Sequence, residues 1–460
     1  MKLIKYLIPL CAAFVLSGCF GSEPNDVAYV SALGIDTGLQ GNYDITIQFA
    51  RPTQISGGSS EEGGKGGEEI VENIQVEAPD IYSAVNIANH LISKRFSLSH
   101  MKLIVFSREA AQNGIKDVME TVSRSNEMRP DIITAVSRET ANSYLENLKP
   151  IVEVNPAKYY QLIFEKNNSG GVPKMNGISS MNYLVSNQRD IVMPLTGVAK
   201  ANGDGQSSQG QEGSEESQSG GSSGKSQSEG SSGGSQGGES SGSAQEEEST
   251  PGKSIEGDVP ITDKGFQYKN RNYKAGEIKL INEDKSEALG MAVFKGDKLI
   301  AAMSENEANL YNILIGDYKD NYTSFFSPVT PEKAVTIKLS QRRKPVYKID
   351  KNNKKVKISI YLEGEFYSLP YDYEIEDEVE EFEKSCAKEI SKRCREFIIS
   401  MRDEYNADIL GFGERAKGCF WDMNEYNEYN WQEKFKEYDI EVTTMFRIRH
   451  SGITYRERKN

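Results

Sequence analysis

The chain has 460 residues, is 37% hydrophobic and 9% aromatic, and carries a formal net charge of −14; that is enough apolar content for two or three cores and too much for a disordered stalk. Between residues 201 and 250 lie nine acidic residues and one Lys, so more than half of the excess charge is local. The remainder is only mildly acidic, and no basic stripe points to nucleic acid.

The first element is a leader. Lys2 and Lys5 form a positive start, Leu3 to Leu16 is almost unbroken apolar sequence, and Leu16-Ser17-Gly18-Cys19 closes it as a bacterial lipobox. The run is shorter than the ~20 residues of a spanning helix. Residues 1–18 are therefore read as a lipoprotein signal peptide and 19–26 as a tether, with Cys19 the lipidated first residue of the mature chain. Two acyl chains at ~0.8 kcal/mol per buried CH₂ give anchoring on the order of 20 kcal/mol. No later stretch is apolar enough to cross a bilayer, which places the rest outside the cell.

Residues 27–200 read as a mixed α/β region. Val27–Asp36 and Tyr43–Phe49 form a strand pair around a Gly-rich turn, and Ser56–Glu69 is a long loop before a third strand, Ile70–Val76. The pattern then alternates. A helix is expected over Asp80–Ser93, capped by Asp80, with Ala84, Ile87, Ala88, Leu91 and Ile92 inward. A strand at Leu103–Phe106, a helix at Ile115–Ser123, a strand at Ile132–Val136 and helices from about Glu139 and Pro156 follow. Residues 201–257 are Gly, Ser, Gln and Glu almost throughout, a composition that predicts a disordered linker with a root-mean-square span of roughly 40 Å for ~50 residues.

Residues 287–460 read as an α+β domain, an antiparallel sheet backed by one long helix. Gly290–Ile300 is a hairpin around Gly296-Asp297, followed by a helix at Glu305–Ile315 with Leu310, Ile313 and Leu314 inward. Strands are expected at Ala334–Leu339, Val346–Ile349 and Val356–Leu362. Ile375, Val379, Phe382, Cys386, Ile390, Cys394, Phe397 and Met401 then recur at helical spacing. A shorter helix at Tyr426–Glu437 and a strand at Ile440–Ile448 close the pattern. Overall the fold class is α+β and multidomain: mixed α/β modules with antiparallel-rich sheets, interrupted by the linker.

Three cysteines remain in the mature chain beyond Cys19. Cys386 and Cys394 lie in the helical stripe about 12 Å apart along its axis, too far to bridge each other, and read as core residues; a disulfide from Cys419 to one of them stays open. The chain has three histidines, His90, His100 and His450, and no His-Glu-x-x-His, which argues against a metal site and against Ser-His chemistry. His100 reads as a strand-edge residue that hydrogen-bonds locally. Gly224-Lys225-Ser226 and Gly252-Lys253-Ser254 lack the first glycine and the strand-helix setting of a phosphate loop. The acidic run Glu374–Glu383 suits the positive end of a helix dipole better than it suits calcium. No catalytic residue, metal or cofactor is assigned.

Several landmarks recur in one order: the lipobox, Val27-Ala-Tyr-Val-Ser-Ala-Leu-Gly-Ile-Asp36, Ser99-His-Met-Lys-Leu-Ile-Val105, Gly290-Met-Ala-Val-Phe-Lys295, Asp408-Ile-Leu-Gly-Phe-Gly413, Trp431, and Phe446-Arg-Ile-Arg-His-Ser-Gly-Ile-Thr454. Together they resemble the Ger(x)C family, the lipoprotein C subunits of nutrient germinant receptors in endospore formers. The resemblance implies three mixed α/β domains, with two of them within residues 27–200, and a non-enzymatic subunit on the outer face of the spore inner membrane, beside integral-membrane A and B subunits, in a complex that senses small nutrients. The long acidic insertion departs from the family pattern and leaves a rigid relation between the two halves dependent on strands pairing across it. Competing readings are a substrate-binding lipoprotein of a transporter, which would show two similar lobes, and a lipid-anchored hydrolase, which would show a site.

Overall fold

The computed structural model describes residues 26–50, 71–148, 155–165, 171–186, 189–200, 273–278, 285–326, 334–369 and 379–450. The leader with Cys19, the Ser56–Glu69 loop, the 201–257 segment and the end of the last landmark lie outside the described residues. All described residues belong to one compact unit.

The first sheet has nine strands. Its centre is parallel: β1 (Val27–Thr37), β5 (Leu103–Ser107), β6 (Ile133–Ser137) and β7 (Val192–Ala199) lie side by side. Alternate residues feed opposite faces, so Ile104 and Phe106 enter one core while Leu103 and Val105 enter another, and every residue of β5 and β6 is buried. This two-sided burial is why these strands read as continuous apolar runs. One flank is antiparallel through β2 (Tyr43–Ala50) and β3 (Val71–Ala78), while β4 (Arg95–Ser97) runs parallel to the start of β1.

Helices cover both faces. On one side are α1 (Ile81–Ala88), α2 (Arg108–Asn113), α3 (Lys116–Arg124) and α6 (Gly177–Ser186); on the other are α4 (Ala141–Glu146) and α5 (Pro156–Glu165). The Asp80 carboxylate caps α1 by accepting from the Tyr82 and Ser83 amides at 2.9 and 3.0 Å. That cap sets the phase of the helix. Its buried face is Ile81, Ala84, Val85 and Ala88, whereas Ile87 and Leu91, expected inward, point to solvent. The helix also ends before Ser93, because the Asn89 side chain accepts from the Phe96 amide at 2.8 Å and turns the chain into β4.

The other flank joins the two halves of the molecule. β8 (Lys285–Lys295) pairs antiparallel with β7, from Val192↔Val293 to Ala199↔Lys285, and β9 (Lys298–Met303) completes the expected hairpin around Gly296-Asp297. Strands therefore pair across the 201–257 segment, and the hairpin read above with the C-terminal half extends the N-terminal sheet. It is buried on both sides. Ala292, Phe294 and Leu299 pack into the core beneath α1 to α3, while Met291, Val293 and Met303 pack into the core of the second sheet. The returning strap 273–278 is fastened to this flank. Ala275 N donates to Leu289 O at 3.0 Å, Arg138 Nη1 donates to Ala275 O at 2.6 Å, and Gly197 has no room for a Cβ beside Ala275 and Gly276.

The second sheet has five strands: β10 (Asn321–Phe326), β11 (Ala334–Ser340), β12 (Val346–Asp350), β13 (Lys355–Ser368) and β14 (Asp439–His450). It departs from the antiparallel expectation in one pair, since β14 runs parallel to β13 along eleven registered positions. The connection is long enough to allow it, and contains the helix α8 (Val379–Asp403). Phe382, Cys386, Ile390, Cys394, Phe397 and Met401 are buried in the expected stripe, and Ile375 lies outside the described residues. Helix α7 (Glu305–Ile315) carries a capping box between Ser304 and Glu307 and buries Ile313 and Leu314, with Leu310 half-buried.

Side chains of α8 also satisfy the outer edge of β14. Arg402 donates to Tyr438 O at 2.7 Å and Arg395 to Ile440 O at 2.8 Å, while the Ser391 hydroxyl accepts from Thr444 N at 2.9 Å and Glu383 from Ile448 N at 2.7 Å. Helix and strand run antiparallel, and nineteen helical residues rise about 28 Å against about 33 Å for ten strand residues. The lengths match closely enough for one helix to guard the whole edge. The Glu383 carboxylate also binds Arg447, so this last member of the acidic run is buried and paired. Beyond α9 (Phe412–Ala416), the expected Tyr426–Glu437 helix is split into α10 (Met423–Tyr429) and α11 (Trp431–Lys434), because Asn430 takes a left-handed conformation at φ 50°.

Because the β7–β8 ladder and the strap hold both ends of the insertion, deleting Gly203–Glu248 leaves cooperative unfolding intact and moves stability by no more than about 1 kcal/mol. Thermal unfolding of the chain from residue 20 checks this; a broad or split transition would show that the segment is structural.

Candidate functional site

Three landmark residues, Asp36, Lys295 and Asp408, enter two polar latches. The first closes the carboxyl ends of the parallel strands, where open α/β sheets commonly seat a ligand. Asp36 at the end of β1, Ser107 at the end of β5, and Ser137 at the end of β6 stand in one row, all buried. The Asp36 carboxylate accepts from Ala141 N at 2.7 Å and from Asn142 N at 3.0 Å, and so fills the N-terminus of α4 with a resident anion. Burial raises its pKa, opposed by those two amides and by the Ser107 hydroxyl. Two residues earlier, Gly34 lets α4 approach: an added Cβ would lie 3.1 Å from Ala141 and Leu145 side-chain atoms and 3.2 Å from Thr46. The Gly34-Ile35-Asp36 landmark is thus the seat of a helix.

The second latch ties the sheets together. Asp190, just before β7, and Asp408 exchange backbone and side-chain contacts: Asp190 N donates to Asp408 O at 3.0 Å, and Asp408 N donates to Asp190 Oδ2 at 2.7 Å. Asp190 also holds Lys295 Nζ at 3.1 Å and Gly296 N at 3.3 Å, in the hairpin turn. The Asp408 carboxylate in turn accepts from Phe412 N at 2.9 Å and Gly413 N at 2.7 Å, folding the Asp408–Gly413 landmark over itself. Beside it the Arg189 guanidinium donates to Ile409 O at 2.8 Å, Tyr183 at 3.2 Å and Tyr311 at 2.7 Å, and lies 4.9 Å from the Tyr183 ring centre. Burial pushes the Asp408 carboxyl up to about 6, against the pull of its two amide donors.

Neither Arg189 nor Asp190 was singled out from the sequence. Their signal was a charged pair directly ahead of a fully buried strand, a position that forces each charge to find a partner. Met291 and Val293 of the Gly290 landmark pack into the second core. Gly290 itself adopts φ +88°, and a Cβ there would strike the Met303 carbonyl. Trp431 is buried against Phe435 and Tyr438.

The three histidines sit on separate elements; His100 accepts or donates to Ser99 Oγ at 3.0 Å and packs edge-on to Tyr29. Cys386, Cys394 and Cys419 are free thiols, and burial pushes Cys394 up to about 12. Among the described residues no group of three His, Cys, Asp or Glu side chains is placed to hold a metal. A polar concavity of about 240 Å³, walled by Thr37, Asn42, Asn113, Lys116, Asp117 and Asp297, opens beside the hairpin turn.

The fold and the latches define a two-sheet α+β protein whose signature residues act inside the structure, as fasteners. Comparison with known proteins gives the family. The profile described as spore germination protein N-terminal domain matches residues 21–198, and the spore germination B3/GerAC-like C-terminal profile matches 289–452. The chain belongs to the GerAC-like spore germination proteins, the family of germinant receptor C subunits. It is 28% identical to spore germination protein KC of Bacillus subtilis over 197 residues, covering 42% of this chain and 48% of that protein, so this match spans about half of the relative's length. Against spore germination protein GerQC of Bacillus cereus it is 19% identical over 462 residues, covering 98% and 99%. A crystal structure of the GerBC protein aligns over 90% of this chain and 96% of its own, at 14% identity and a TM-score of 0.45.

The raised Asp408 pKa fixes a sign. The folded state holds this proton up to about pH 6, the unfolded chain only to the ordinary 3.8 or so, so stability falls as pH rises between those values, by on the order of 3 kcal/mol from this group. Asp408→Asn leaves one of two buried amides without an acceptor, at about 1–3 kcal/mol, and removes the ionisation. Urea unfolding should therefore find the variant well below the parent at pH 5 and the gap narrowed at pH 7.5. A gap independent of pH would show that Asp408 does not titrate in this range.

Proposed function

We propose that this protein is a lipid-anchored, non-enzymatic subunit of a spore nutrient germinant receptor, tethered through Cys19 to the outer face of the spore inner membrane and acting by association with integral-membrane A and B subunits. The observation that carries the reading is the pair of family profiles, which between them span both sheets. The lipobox supports the anchor. Among the described residues no helix is long and apolar enough to cross a membrane, so attachment by Cys19 and docking by the folded sheets together supply the membrane association that the reading requires.

The filled crevice favours this reading over a solute-capturing lipoprotein. Where an α/β protein would offer a helix N-terminus to an anionic group of a ligand, Asp36 already occupies it. The signature residues are spent on holding the sheets together, which suits a rigid module presented to partner subunits.

Cys19→Ala abolishes incorporation of labelled acyl chains and shifts the protein out of the membrane fraction or leaves it unprocessed; unchanged labelling would remove the anchor. A solute-binding lipoprotein would gain about 2.7 kcal/mol from a ligand at a hundredfold excess over Kd. The chain from residue 20 should show no such gain with amino acids or sugars, while spores lacking the gene respond poorly to nutrients. Strong stabilisation by one nutrient, together with normal germination of the deletion spores, would favour the transporter reading instead.

A further inference from the structure

The β11–β12 junction carries a cationic bulge. Both strands pair with the same edge of β13, through Ser340↔Glu363 and Val346↔Ser359, so five residues, Gln341-Arg342-Arg343-Lys344-Pro345, stand opposite three. Such excess residues bend a strand and re-aim its side chains. Arg342, Arg343 and Lys344 are all exposed, as is Lys348 on β12. Among the described residues a carboxylate comes within ion-pair reach of this group once, Asp320 at 3.7 Å from Arg342, and Asp320 is already held by Lys338 at 3.0 Å and Ser340 at 2.7 Å. Lys348 also stands directly across the ladder from Lys357, an arrangement that costs stability.

Internal contacts engage part of these charges: Arg342 reaches Asp320, Arg343 lies 5.9 Å from the Tyr361 ring centre, and the Glu363 carboxyl, whose main partner Arg449 lowers it, is lowered further by both arginines. The bulge packs on the C-terminal end of α7, where cations are favourable, but that end is served by neutral groups: Gln341 Nε2 donates to Ile313 O at 3.0 Å and the Tyr347 hydroxyl to Leu314 O at 2.5 Å. In a chain of net charge −14, four exposed cations on one corner form a place at which an anionic surface is attracted. Exposed Val346, between Lys344 and Lys348, adds an apolar contact.

We propose that this bulge is a contact point for anionic lipid headgroups, which orients the tethered protein on its membrane. The inference rests on the lipid-anchored reading: a tether supplies proximity, and the bulge selects which face meets the bilayer. Polybasic segments of this size bind anionic leaflets reversibly and lose the attraction in high salt.

The test uses the chain from residue 20, which keeps every described element and cannot be acylated at Cys19. It should co-sediment with vesicles of equimolar phosphatidylglycerol and phosphatidylcholine, release in high salt, and ignore pure phosphatidylcholine. Arg342→Glu, Arg343→Glu and Lys344→Glu combined should weaken binding by about tenfold or more with unchanged thermal unfolding; should the triple variant fail to fold, Lys348→Glu alone should weaken it measurably. No binding to anionic vesicles, equal binding to both kinds, or full binding by a folded triple variant overturns the proposal. So does a fall in melting temperature with binding unchanged, which would assign the cations to α7, or capture of a polyglutamate peptide without vesicle binding, which would assign them to an acidic protein. Acyl labelling of Cys19 in the full chain separates the two readings: labelled Cys19 with no vesicle binding removes only the bulge, and vesicle binding with unlabelled Cys19 removes only the anchor.

Discussion

The rest of the structure depends on the ladder between β7 and β8. Some 85 residues separate the ends of these two strands, yet they pair from Val192 to Ala199 and place the β8–β9 hairpin between two cores. Phe294 and Leu299 belong to one core, Met291 and Val293 to the other, and their burial cannot be undone on one side without exposing the other. Fully burying side chains of this size is worth about 1.5–3 kcal/mol each. The two family profiles end and begin within this ladder, at 198 and 289, so the ladder stitches together what sequence comparison divides.

Around the ladder, polar groups do the work that an extended apolar interface would otherwise do. Asp190 and Asp408 hold one another through their backbone amides, and Lys295 supplies a cation to the buried Asp190 carboxylate. Asp36 performs the same service for α4. A family signature built of glycines and aspartates in these settings marks geometry: close approach at Gly34, φ +88° at Gly290, and helix or loop ends satisfied by carboxylates. Hydrogen bonds and close contacts hold these residues within the fold.

Much of the fold was legible in the sequence because its elements obey simple periodicities. The hairpin at Gly296, the capped helix at Ser304, the long cysteine-bearing helix and most central strands follow from alternation, helical spacing and turn residues. What escaped has specific causes. β7 carries Pro194 and Gly197, residues that argue against a central strand; Pro194 falls at a register shift, where its missing N–H is tolerated, and Gly197 makes room for the strap. The inner face of α1 was misphased because exposed Ile87 and Leu91 share helical spacing with buried Ala84 and Ala88. The latches were half visible: Asp36 and Asp408 stood in landmarks, but Arg189 and Asp190 gained meaning only once the chain returned to them from more than two hundred residues away. Cys19 stands in a motif that is local in sequence, and it lies outside the described residues.

The strap at 273–278 has a practical consequence. Gly197 and Gly276 touch, and Lys200 and Tyr273 each lie three residues beyond that contact, so the two ends of the intervening stretch emerge within about 25 Å of each other. Such a neighbouring exit and entry is the geometry that tolerates the grafting of a whole foreign domain. A fluorescent protein spliced there would leave the Cys19 sequence and the closing strand β14 untouched, and would let the protein be followed without a tag at either terminus.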